Sequence, residues 1–149
     1  MTRELDDDLH SKIVLLCKEG DELQRKSHHQ EALRKYESAW NLLPEPKEDW
    51  EAATWILATM GDTYWSIQDY SKTVSVLTLA LKCPSGLGNP FIHLRLGEAY
   101  FELSDSFGKR NHLTRAYIGA GREIFKDEDP KYLEFLKDIL LPPVGKDEL

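Results

Sequence analysis

Apolar side chains recur every three or four positions along almost the whole chain, and no β-branched alternating run interrupts them. A period near 3.6 residues is the signature of amphipathic helices that bury one face. The pattern predicts helices at about 7–26, 29–43, 48–67, 70–82, 90–104, 109–125 and 130–140, joined by short polar turns. Asp69 and Asn89 are placed to accept backbone N–H groups at helix starts, and Pro44, Pro46 and Pro84 cannot continue a helix. Gly86 and Gly88 give the turn between them freedom in φ, and Pro142 with Pro143 ends the last helix.

Internal repetition organises these helices. Gly20-Asp21-Glu22-Leu23, Gly61-Asp62-Thr63-Tyr64 and Gly97-Glu98-Ala99-Tyr100 each carry an acid after a glycine and a large apolar residue three after it. Ala32, Tyr36 and Ala39 follow Gly20 by 12, 16 and 19 residues, and Thr73, Leu77 and Ala80 stand at the same offsets from Gly61. In the third segment the helix ending at Tyr117–Ala120 is read four residues further from its glycine, with Ser104–Gly108 supplying the extra turn. This pattern resembles the tetratricopeptide repeat (TPR), a helix-turn-helix unit, over residues 13–125.

The resemblance implies an all-α fold: one domain over 1–149, a helical-hairpin solenoid of about three TPR-like pairs at about 13–46, 54–86 and 90–125. A capping helix at about 130–141 and a tail at 142–149 complete it. The apolar stripe of Tyr132, Leu133, Phe135, Leu136, Ile139 and Leu140 suits a cap, because the last pair of a solenoid otherwise exposes an apolar face. Thr73 departs from the family pattern, where a small alanine is usual, and the Pro44–Trp50 and Cys83–Pro90 connections carry extra residues.

Composition narrows the function. At 149 residues the chain can build a core without disulfide or metal staples. Its 26 acidic against 19 basic residues, a net charge of −7, argue against nucleic-acid affinity and favour a basic partner. Residues 45–70 hold six acids against Lys47 alone, whereas 107–126 hold five bases against Glu123, read as a solvated helix face. Cys17 and Cys83 form neither a CxxC pair nor a metal motif and read as buried reduced thiols. With no signal-like apolar region and no membrane span, the expectation is a cytoplasmic protein without membrane contact. The terminal Lys146-Asp147-Glu148-Leu149 spells a retrieval signal that has no role in that setting.

Catalytic chemistry finds no support. His10, His28, His29, His93 and His112 show no metal-ligand spacing, and Asp6-Asp7-Asp8 lacks the glycine and distal glutamate of a calcium loop. No nucleophile elbow or phosphate-binding glycine loop is present, so neither an enzyme nor a cofactor is expected.

In the family that the chain resembles, the first helix of each pair lines a concave surface where partners bind. The corresponding stripe reads Val14, Cys17, Asp21 and Gln24, then Trp55, Ala58, Asp62 and Trp65, then Phe91, Leu94, Glu98 and Phe101. From it the expected partner-binding residues are Asp21, Trp55, Asp62, Trp65, Phe91, Leu94, Glu98 and Phe101. Acids after each repeat glycine would repel the C-terminal carboxylate that Hsp70/Hsp90-binding members of the family hold, so that role is disfavoured. Acids interleaved with aromatics suit lysine and arginine side chains, through ion pairing and cation–π contact. The chain resembles small bacterial TPR-type proteins dedicated to one partner. That implies an immunity-type protein that neutralises a cognate toxin domain, the alternative being a chaperone or adaptor for a secreted or assembling client. The oligomeric state is left open.

Overall fold

The computed structural model describes residues 4–140. Helix α1 (Asp7–Arg25) starts where the Asp6 carboxylate accepts the Leu9 N–H at 3.4 Å. Asp7 and Asp8 lie in its first turn, where the helix dipole favours negative charge. It pairs with α2 (His29–Leu42), as α3 (Glu51–Ser66) pairs with α4 (Tyr70–Ala80) and α5 (Pro90–Glu102) with α6 (Ser106–Ala120); α7 (Pro130–Leu140) follows. Short 3-10 turns occupy Lys47–Asp49 and Arg122–Phe125. The chain divides into two compact units, Met1–Gly88 with the first two hairpins and Asn89–Leu149 with the third hairpin and α7. Among the described residues there is no strand, and no helix is long and apolar enough to cross a membrane. The 142–149 tail, with Pro142, Pro143 and the terminal four residues, lies outside the described residues.

The three hairpin turns are built alike. Seven residues after each repeat glycine, Ser27, Gln68 and Ser104 adopt left-handed φ values of 64°, 63° and 60°. The next residue closes the turn by donating its N–H five residues back: His28 to Leu23 O at 2.8 Å, Asp69 to Tyr64 O at 2.9 Å, Asp105 to Tyr100 O at 2.9 Å. Asp69 and Asp105 then cap the following helices by accepting the Lys72 N–H at 3.2 Å and the Gly108 N–H at 2.8 Å.

The third hairpin therefore keeps the repeat register and carries no four-residue offset. Because Asp105 caps α6, the helix starts at Ser106 rather than 109, and the buried Leu113 and Ala116 stand 16 and 19 residues after Gly97. Lys109 occupies the place of Ala32 and Thr73; its ammonium lies 4.9 Å from the ring centres of both Phe101 and Phe135. At its far end α6 stops at Ala120, where Gly121 takes φ +73°, so the expected helix to 125 is a helix followed by a 3-10 turn. Likewise α3 starts at Glu51 rather than 48, after the Lys47–Asp49 turn.

Each repeat glycine meets the large residue 16 positions on. A Cβ on Gly20 would come 2.5 Å from the Tyr36 ring, and one on Gly97 would come 2.6 Å from Leu113 Cδ2 and 2.8 Å from the Leu113 backbone nitrogen. The absence of a side chain is what lets paired helices approach so closely. Thr73 is tolerated at an alanine position because its buried hydroxyl donates to Asp69 O at 3.0 Å. In the first unit Ile13, Tyr36, Ile56 and Leu77 form the core; in the second Ile92, Leu96, Leu113 and Leu136 do. The α7 helix packs on the third hairpin, with Tyr132 and Phe135 edge-on to Phe101 at 5.1 and 5.9 Å and the Tyr132 hydroxyl donating to Glu102 at 2.7 Å. Cys17 and Cys83 are buried free thiols, and burial first, then Asp21, raises Cys17 to about 11.

Candidate functional site

Within the first unit, α1 and α3 lie side by side, joined near their C-terminal ends by Gln24 Nε2 donating to Ser66 Oγ at 3.5 Å. Asp21 and Asp62 are exposed on these helices and both bear on Tyr36. The Tyr36 hydroxyl donates to Asp21 Oδ1 at 2.6 Å, and burial together with these carboxylates pushes its ionisation far upward. Asp21 therefore anchors the hairpin as well as facing outward. Trp55, on α3, is 36% exposed, with His10 of α1 edge-on to its ring at 6.3 Å. Trp65 is half-buried against Tyr70 of its own hairpin at 5.1 Å.

The second unit arranges its four expected residues differently. Phe91, at the start of α5, is 64% exposed. Leu94 is 4% exposed and belongs to the core. Phe101 is wedged between the α7 rings and the Lys109 and Lys131 ammonium groups, which lie 4.9 and 5.4 Å from its centre. Glu98 is 0% exposed and offers no groove acid. Arg95 Nη1 donates at 2.6 Å both to Glu98 Oε1 and to Glu128 Oε1, while Glu98 Oε2 is buried without a hydrogen-bond partner. Burial first, then the neighbouring Glu128 carboxylate, push Glu98 up to about 9 against the opposing pull of Arg95. A carboxyl group in such a site holds its proton at neutral pH.

Among the described residues no cluster of three or more metal-ligating side chains exists. His93 and His112 meet at 2.9 Å through their Nδ1 atoms, so one must donate and the other accept. Burial, His93 and Arg115, in that order, hold His112 down to about 4.

Beside the expected Trp55, residues missed from the sequence, among them Trp50 and Glu51, lie at the N-terminal ends of α1 and α3. Glu4, Asp7, His10, Trp50, Glu51 and Trp55 line a cleft of about 490 Å³. Trp50 is fixed there by its indole N–H, which donates to Pro44 O at 2.8 Å. Only the folding of the Pro44–Trp50 connection joins residues some forty positions apart, so no local motif announces the cleft.

These hairpins, their glycine contacts and their shared turn define an all-α helical-repeat fold of the tetratricopeptide class. The C-terminal TPR-containing domain of a Plasmodium falciparum protein classed with the FK506-binding proteins has this fold. It aligns with a TM-score of 0.72 over 91% of this chain and 95% of that one, at 18% sequence identity. No protein-family model and no curated protein sequence matches the chain.

Proposed function

We propose that the chain is a non-catalytic protein-binding module that takes a basic partner on the α1/α3 face. The observation that carries this reading is the exposure of Asp21, Asp62 and Trp55 on adjacent first helices, which makes an acidic and aromatic surface. Acids on both helices steer a basic partner into encounter, and the indole supplies the kind of contact that dominates interface energies. Most concretely, the module is an immunity-type protein whose partner is a cognate toxin domain, held inactive by occlusion.

Isolation of the natural complex from the producing cell, followed by an activity assay of the partner, tests this. One basic partner whose enzymatic activity is abolished at a one-to-one ratio is the expected outcome. Several unfolded or export-bound clients, none inhibited, would instead make the chain a chaperone.

A further inference from the structure

The cleft between the heads of α1 and α3 combines space, aromatic wall and charge. Its volume of about 490 Å³, partly open to solvent, gives room for a long side chain. Trp50 is locked in the wall by its bond to Pro44 O, and Trp55, 36% exposed, has the His10 ring edge-on to it. Glu4, Asp7 and Glu51 bring three carboxylates to the lining, which among the described residues holds no lysine or arginine. Among the described residues none of the three is ion-paired. The nearby Lys47 is engaged elsewhere, donating to Trp40 O at 3.2 Å and Leu43 O at 2.7 Å at the end of α2. Helix dipoles offset part of the negative charge, since Asp7 and Glu51 open α1 and α3. Two N-termini at roughly half a positive charge each offset about one of the three carboxylate charges.

We infer that this cleft is a binding pocket for a guanidinium or ammonium side chain contributed by the protein partner. The inference rests on the reading of the α1/α3 face as a protein-binding surface and gives that surface a subsite. The cation stacks over the Trp55 ring while the carboxylates of Asp7 and Glu51 accept its N–H groups, so ring and charge act on the same group.

The test is an NMR titration of the full chain with N-acetyl-arginine amide, read on the indole N–H resonances of Trp50 and Trp55. Saturable shifts are expected, absent with N-acetyl-glutamate amide. Affinity should fall roughly tenfold in Trp55→Ala and about threefold in Asp7→Asn/Glu51→Gln. Because Trp55 lies at the surface, Trp55→Phe provides a folded control that keeps part of the affinity. No saturable shift in the native chain, or equal affinity in the charge variants, overturns the pocket. The readout does not use the protein partner. The pocket can therefore fail while the α1/α3 reading stands, and partner binding can survive Asp21→Lys/Asp62→Lys, sinking that reading, while the amide still binds.

Discussion

In the third hairpin a methyl group at Gly97 would stand 2.8 Å from the Leu113 backbone nitrogen, and a backbone atom cannot swing aside. Gly97→Ala should destabilise the chain by about 1–3 kcal/mol, overpacking outweighing the helix propensity that alanine gains. Denaturant unfolding checks this, and an unchanged midpoint would refute the close approach. Glu98 yields a prediction with a sign. Its folded pKa of about 9 lies above the usual 4.5, so the folded chain holds a proton that the unfolded chain releases. That contribution is full below pH 4.5 and is lost as pH rises through about 9. Glu98→Gln keeps the neutral shape and removes the titration, so between pH 6 and 9.5 the wild-type melting temperature should fall relative to the variant's. Parallel curves would contradict it. His112 acts oppositely: its folded value near 4 lies below the usual 6.5, so its contribution is present above 6.5 and lost as pH falls toward 4. The burial of Glu98 was not legible in the sequence, where Asp21, Asp62 and Glu98 occupy equivalent places. The difference comes from Arg95 and Glu128, the latter thirty residues on.

At the scale of the element, the shared turn explains where each first helix stops. Ser27, Gln68 and Ser104 hold left-handed backbone without being glycine. Replacing any one by glycine should stabilise the chain by about 0.5–1 kcal/mol, because the steric cost of a Cβ in that region exceeds the flexibility that glycine adds. Thermal unfolding of the three single variants measures this, and destabilisation by all three would show that their side chains matter more than their φ. Most helix positions were readable from periodicity, and the caps Asp69 and Asn89 act as read, Asn89 accepting the Phe91 N–H at 2.9 Å. The third register was obscured because Lys109 stands where the first two hairpins carry a small residue. Its long side chain is accommodated by the Phe101 and Phe135 rings, a solution that only the docking of α7 makes available. The same docking withdraws Phe101 from the surface, which a helical stripe alone cannot reveal.

Over the whole molecule, charge is distributed unevenly and for different reasons. The acidic 45–70 segment contributes Glu51 to the cleft lining and Asp62 to the α1/α3 face. In the basic 107–126 segment Lys109 is half-buried over aromatic rings and Arg115 donates to Asn111 at 3.1 Å. On the proposed reading, the acidic α1/α3 face is the surface that a basic partner meets. The central claim is that this face is what the partner binds, and calorimetric affinity of the co-purified partner for the wild type and for Trp55→Ala/Asp62→Lys tests it most directly. A loss of roughly hundredfold is expected, with weaker binding of the wild type as salt rises. Affinity unchanged within about a factor of two, in a variant that melts like the wild type, would contradict it.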